Sequence, residues 1–488
     1  MRAAALVLVT LLAIAAPASA QTAGVQPPEI PNSPLGLGIA PFTGAPVAAD
    51  PHPRHRVPQH PFMAADPGSN IHNDAYQSDV YNRLGPLGEG ISSQSALFVR
   101  ECASVTFDRR GRIVTVCVGL DRPVLAVLDP VTLEPLAALD LPPRQIGGNP
   151  FTSFAGGGYF YLDDHDRAIV PTSQRTIARV RVTRAGELRP KRPFDLTGAV
   201  AADDAVIAVM PDWDGRIWFA TTDGVVGFVR RSGAVSSLAT GEPIGNSFAV
   251  DERGGVYIVT DAALYRFQAG ADGVRTLWRA GYPNIGSIKA GQTQAGSGTT
   301  PTLLGRGLVA ITDNADPMAI RVYQRSPHPD GERLVCVQPV FEAGAGATDQ
   351  SLIGTGRSLI VENNHGYTGI AATLNGATTT PGIERVDLDR DGRGCRTVWT
   401  SDERAPSVVP KLSLGAGLVY TYTKPPRHDL ADAWYLTAID FDNGKTRWRA
   451  LAGTGVGYNN NFAPVSIGPD GSAYVGVLGG IVRLADSQ

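Results

Sequence analysis

The sequence predicts an all-β protein, a β-propeller of eight blades, and three observations carry that prediction. Eight times an apolar run meets a Gly- or Asp-marked turn and then a second apolar run, beginning near Ser104, Ser153, Asp203, Ser247, Thr300, Gln350, Val409 and Ala463. SVTFDRRGRIVTV, SFAVDERGGVYIV, PTLLGRGLVAIT and VSIGPDGSAYVGV each read as strand, tight turn, strand. No stretch of helical period separates the units, and 56 glycines with 37 prolines fit a chain dense in turns. A unit of this size cannot bury both faces alone, so neighbouring copies must stack around an axis. Units two and three are the least regular, which leaves seven blades as the alternative.

Residues 1–20 read as an export signal: Arg2 is the charged start, Ala3–Ala15 the apolar segment, and Ala18-Ser19-Ala20 the small-residue cleavage site. The apolar segment is too short to span a bilayer, and no later segment approaches a span. A secreted or periplasmic protein is expected. Cleavage moves the net charge from −3 to about −4, a balance that argues against a nucleic-acid or anionic-membrane partner.

Residues 21–92 are Pro- and Gly-rich and hold four of the eight histidines. They read as an extended arm on a propeller of residues 93–488. The last unit, APVSIGPDGSAYVGVLGGIVRL, has room for three strands. Ser93–Arg100 is expected to supply the fourth and close the ring, which removes exposed edges.

Four cysteines in an exported chain predict disulfides. With Arg109-Arg110 as a two-residue hairpin tip, Cys102 faces Cys117 across neighbouring strands, with Cα atoms about 5.5 Å apart. Cys336 then pairs with Cys395, in late strands of consecutive units, and staples two blades.

AIDFDNGKTRWRA at 438–450 and IERVDLDRDGRGCRTVWTS at 383–401 resemble the repeat of pyrroloquinoline-quinone-type propellers, in which a strand, a TGK-like turn and a Trp recur. The resemblance implies that Trp399 and Trp448 pack between blades. No quinone cofactor is expected, because the vicinal disulfide of the alcohol-oxidising members has no counterpart. GEPIGNSFAVDERGGVYIVTD at 241–261 resembles gluconolactonase- and paraoxonase-type propellers. That resemblance implies Asn246 as a calcium ligand ahead of an inner strand. That family is six-bladed, however, and Thr300 stands where a further acidic ligand would be.

Loops entering the inner strand and loops leaving the second strand open on one face. The entering loops include GNPFTS, IGNS, TDQS and GYNNNFAP; the leaving loops include YLDDHD, ITDNADP and VENNHGY. Asp, Asn, Glu and His thus gather at one mouth of the channel. The sharpest expectation there is a Ca²⁺ ion held by Asn246, Asp313, Asn314, Glu362 and Asn363, hard oxygen donors suited to that cation. It would polarise an ester or lactone carbonyl, with His165 or His365 as general base. Asp163 and Asn461 are expected to bind ligand. In the arm, NIHNDAYQSDVY at 70–81 offers His72 and Asp74 to the same site. Against this stands turn chemistry, since Asn and Asp after a strand often cap their own backbone. PHPRHRVPQH at 51–60 groups His52, His55 and His60, and reads as a solvated arm.

G-x-S-x-G, H-E-x-x-H, C-x-x-C and the Walker motif are absent from the sequence. Four iron-binding histidines, as in carotenoid-cleaving propellers, would require His72, His165, His365 and His428 to converge, in surroundings unlike that family's. The sequence therefore favours a monomeric, small-molecule-binding propeller that hydrolyses an ester or lactone. A non-catalytic binding propeller is the first alternative and a quinoprotein-type dehydrogenase the second.

Overall fold

The computed structural model describes residues 25–144, 149, 151–305 and 307–487. The proposed signal segment 1–20 lies outside the described residues. Eight sheets arise from the eight units, each with four antiparallel strands; those of blades 1 to 6 are built in chain order, and that of blade 7 also takes Val80–Tyr81, parallel, along its inner strand. Their inner strands are Glu101–Phe107, Tyr161–Leu162, Val206–Pro211, Ala249–Val250, Thr302–Leu304, Ile353–Thr355, Lys411–Ser413 and Val465–Ile467. These define blades 1 to 8. In blade 8 the fourth strand is Ser92–Leu97, paired antiparallel to Gly480–Ala485, so the chain's two ends close the ring as expected. Among the described residues no helix is long and apolar enough to cross a membrane.

The outer strands stitch blades together through indole N–H groups. Trp399 Nε1 of blade 6 donates to the Phe441 carbonyl of blade 7 at 2.8 Å, and Trp278 Nε1 of blade 4 to the Arg325 carbonyl of blade 5 at 3.2 Å. Each ring is almost fully buried, so the bond keeps a desolvated donor satisfied. Trp448 instead packs under the arm, between Tyr420 and Phe42.

Both disulfides are formed: Cys102–Cys117 and Cys336–Cys395, with Cα separations of 3.9 and 5.9 Å. The second joins the outer strands Leu334–Pro339 and Cys395–Ser401 of blades 5 and 6. The first forms for a different reason than the sequence suggests. The turn holds residues 108–112, pairing Phe107 with Ile113, which alone would slip the register by one. A bulge between Cys102 and Ser104 absorbs that residue and restores the Cys102–Cys117 pair.

That turn recurs. Asp108, Asp163 and Asp212 each accept two backbone N–H groups of their own turn, and each binds the Arg four residues on: Arg112, Arg167 and Arg216. This corrects the reading of YLDDHD as a leaving loop. The inner strand of blade 2 is Tyr161–Leu162, not a run from Ser153, so Asp163 and His165 sit in the first hairpin turn, at the opposite end from the mouth.

The arm does more than lie over the propeller. Phe42–Gly44 adds a strand to the outer edge of blade 7. Residues 68–81, all buried, thread the central channel. Carbonyls of Gly68, Ser69, Ala75, Tyr76 and Ser78 accept from Phe107, Leu162, Val250, Leu303 and Gly354, and those of Asp79 and Tyr81 from Leu412 and Leu414. Inner strands expose an unpaired edge to the channel, and this segment satisfies it on six blades. Left-handed backbone at Asn73, Gln77 and Asp79 bends the segment round the ring.

Candidate functional site

Above this plug, at the end where the inner strands begin, a pocket opens. Ile71 and His72 of the arm line it together with Glu101, Ser351, Asn246 and Asn461. Phe151, Phe154, Tyr159 and Phe462 give it apolar walls.

His72 sits at the centre of a linear contact chain. Its Nε2 is 3.1 Å from Ser351 Oγ, and its Nδ1 lies 3.1 and 3.2 Å from the two oxygens of Asp79. Asp79 also receives the ammonium of Lys411, which donates to the Ile71 carbonyl as well. Ser351, His72, Asp79 and Lys411 are 3%, 2%, 0% and 0% exposed. Burial holds the His72 imidazole below its ordinary pKa, with the Asp79 carboxylate pulling the other way. The ring is therefore neutral at neutral pH and free to accept a proton. Tyr159 stacks near the imidazole, centroids 6.4 Å apart, and its hydroxyl donates to Asn246 Oδ1 at 3.1 Å.

Two carboxyl groups complete the polar wall. Burial pushes Glu101 up to about 8, against a hydrogen bond from Asn461 Nδ2 and the nearby Arg144 guanidinium. Burial pushes Asp349 up to about 7; one of its oxygens accepts from Thr293 and the other has no hydrogen-bond partner among the described residues. Burial thus holds both carboxyl groups toward their neutral forms, beside the Arg100 and Arg144 guanidiniums that also line the pocket.

Of the residues singled out in the sequence, His72, Asn246 and Asn461 come together here. The others do not. Asp74 folds onto its own segment, accepting from the Tyr76 N–H and the Ser78 hydroxyl. His365 bonds Thr380 and does not line the pocket. The side chains of the five expected calcium donors are held by protein partners, Asn314 through its amide nitrogen alone, its buried Oδ1 having no partner among the described residues. Asp313 is bound to Arg321, and Asn314 donates to Asn284 and Ser287. Asn363 accepts two N–H groups and donates to two carbonyls. Glu362 accepts from Asn364 and Thr421, and burial raises its pKa well above the carboxylate range. That set does not fit a calcium ion. Among the described residues, His, Asp and Glu ligand atoms cluster instead at Asp50–His52–Asp442 and Asp163–Asp164–His165.

Sequence reasoning missed Ser351, Asp79 and Lys411. One signal existed: a lysine inside the apolar inner strand of VVPKLSLG demands a buried acid.

No family model matches the chain. An uncharacterized protein of Archaeoglobus fulgidus is 28% identical over 354 residues, spanning 65% of this chain and 68% of that protein. Among solved structures, a streptogramin B lyase covers 81% of this chain and 96% of its own, with TM-score 0.39 and 8% identity. A functionally unknown protein from Desulfotomaculum acetoxidans covers 68% and 95%, with TM-score 0.39 and 12% identity.

Proposed function

We propose that this protein is an exported hydrolase of a small, apolar carboxylic ester or lactone, acting through Ser351, His72 and Asp79 in the channel mouth. The observation that carries the reading is the unbroken Ser351 Oγ–His72–Asp79 chain, with both contacts near 3.1 Å, beside a pocket with apolar walls. This is the geometry by which a hydroxyl becomes a nucleophile, and it is recognised by roles rather than by position in a sequence. Ser351 Oγ attacks the acyl carbonyl while His72 Nε2 takes its proton. Asp79, bonded to Nδ1, holds the ring and offsets the imidazolium charge. The proton then passes to the departing alkoxide, and water, activated by the same nitrogen, hydrolyses the acyl-serine. The apolar walls suit an uncharged acyl group. Export is supported by the N-terminal sequence pattern and by the two disulfides.

A second reading is a non-catalytic binding propeller, in which the four residues only pin the arm. The Lys411–Asp79 ion pair favours it, because an aspartate shared with a lysine is a natural anchor.

A fluorophosphonate probe with peptide mapping separates the two, alongside turnover of p-nitrophenyl acyl esters. The hydrolase reading expects phosphonylation at Ser351 and a loss on the order of 10⁶-fold in kcat for Ser351→Ala, with the melting temperature retained. An unlabelled Ser351, and equal ester turnover in wild type and folded Ser351→Ala, would leave the binding propeller standing.

A further inference from the structure

The net charge of the chain conceals a strongly basic blade. Residues 167–192 hold eight Arg or Lys against one acid, Glu187, in a protein of net charge −3. The strand register concentrates them. Arg181 pairs with Arg167 on one side and Arg189 on the other, and Arg179 stands opposite Lys191. Residues two apart on a strand share a face, so these five cations stand on one face of blade 2. Like charges directly opposite repel, and nothing in blade 2 relieves most of that repulsion. Arg167 is held by Asp163 and Arg189 by Glu187. Among the described residues Arg179, Arg181 and Lys191 have no carboxylate partner.

Blade 3 faces this surface with more positive charge. Between the two blades lies a cavity of about 420 Å³, lined by Arg167, Arg179, Lys191, Arg230 and Arg231, with Asp163 and Asp164 as its acids. Its floor is apolar: Ile169, Ile217, Val229 and Phe62 of the arm. The guanidinium groups are held in place by rings. Arg179 lies 4.0 Å from the Phe194 centroid and also donates to the Arg192 carbonyl, Arg231 lies 5.1 Å from Phe62, and Arg230 5.0 Å from Phe228. The Arg192 carbonyl takes Nε and Nη2 of Arg179 and leaves Nη1 without a partner among the described residues, and guanidiniums fixed by stacking in this way are pre-organised for anion recognition.

We propose that the cleft between blades 2 and 3 is a second ligand site, which binds a small organic molecule carrying two or more phosphate, sulfate or carboxylate groups on an apolar or planar skeleton. The anionic groups meet Arg179, Lys191, Arg230 and Arg231, and the skeleton covers Phe62 and the aliphatic floor. The site is distinct from the mouth pocket, with which it shares no lining residue.

The probe is pyrene-1,3,6,8-tetrasulfonate, a planar tetra-anion titrated by its own fluorescence at low salt, with inorganic tripolyphosphate as a competitor that lacks the skeleton. The proposal expects stoichiometric binding of the dye and displacement by tripolyphosphate at higher concentration. It further expects weakening of tenfold or more in Arg179→Ala and in Arg231→Ala. Arg192→Ala is the control: it removes the same charge from the adjoining strand of the same blade, at a residue that does not line the cleft, and is expected to change affinity less than twofold. Melting temperatures verify that each variant is folded. An Arg192→Ala loss equal to that of Arg179→Ala would reduce the binding to diffuse attraction and overturn the site. Failure of the dye to bind at millimolar concentration would overturn it too.

Discussion

The mouth pocket and the cleft between blades 2 and 3 are built on opposite electrostatic plans. The mouth is assembled from distant parts of the chain: His72 from the arm, Glu101 from blade 1, Asn246 and Ser351 from entering loops, Asn461 from the last. Several of its polar groups are bonded to one another, and burial holds His72, Glu101 and Asp349 toward their neutral forms. The cleft needs only two neighbouring blades and one arm residue, and it leaves like charges facing each other. A neutral, desolvated site strengthens a proton relay, because charge that develops during reaction is poorly screened there. An open cationic site attracts and orients charge without altering bonds. On the two readings proposed above, the difference separates a place for chemistry from a place for recognition.

The largest test of that separation is Asp79→Asn. Without the carboxylate that orients the ring and offsets the imidazolium, ester turnover is expected to fall on the order of 10⁴-fold, with dye binding at the cleft unchanged. A joint loss of both would mean that the two regions are not independent. Next comes Lys411→Met. Removing one partner of the Lys411–Asp79 pair leaves a buried carboxylate uncompensated, and about 3–5 kcal/mol of stability is expected to go. The double variant Lys411→Met with Asp79→Asn should recover a measurable part of it in urea denaturation. Additive losses would show that the plug is not held by this pair.

Much of the fold was legible because its turns announce themselves, and the errors have local causes. Blade 2 was misplaced by eight residues because the run Phe154 to Tyr161 contains three glycines and aromatic neighbours that mimic a strand. Part of the site was legible, since His72, Asn246 and Asn461 stand out as polar residues on loops. The relay was not. Asp79 is seven residues from His72, and their contact depends on left-handed turns at Asn73, Gln77 and Asp79, which leave no period in the sequence. Ser351 in TDQS is indistinguishable from ordinary turn polarity. The cleft was hidden by averaging: a balanced total charge says nothing about eight cations on one blade.

The disulfides sharpen the comparison at smaller scale. Cys102–Cys117 closes a 15-residue separation in blade 1, whose inner strand supplies Glu101 to the mouth; Cys336–Cys395 closes 59 residues and ties blades 5 and 6. Loop entropy assigns about 3 and about 4 kcal/mol to them. Cys336→Ser with Cys395→Ser is therefore expected to lower stability more than the other pair of substitutions, measured by denaturation. Ester turnover should respond more to loss of Cys102–Cys117, which sits one residue from Glu101. The opposite ranking of turnover would separate the mouth from blade 1's inner edge.

The subtlest expected effect concerns pH. Glu101 titrates near 8 in the folded protein because burial disfavours its charged form, well above its unfolded value near 4.5. A carboxyl whose pKa is raised on folding keeps its proton longer in the native state, so the native state binds more protons between those two values. Stability is then full below about pH 4.5 and falls as pH rises toward 8, with a slope of at most about 1.4 kcal/mol per pH unit. Asp349, near 7, adds a loss of the same sign that ends sooner. Glu101→Gln keeps the hydrogen bond to Asn461 and removes the charge. It is expected to flatten the decline between pH 5 and 8 and to make the protein more stable than wild type above pH 8, while Arg179→Ala in the cleft leaves the profile's shape intact. A wild-type profile that rises over this interval would mean that Glu101 is already ionised beside Arg144, and the mouth would then be a charged site like the cleft.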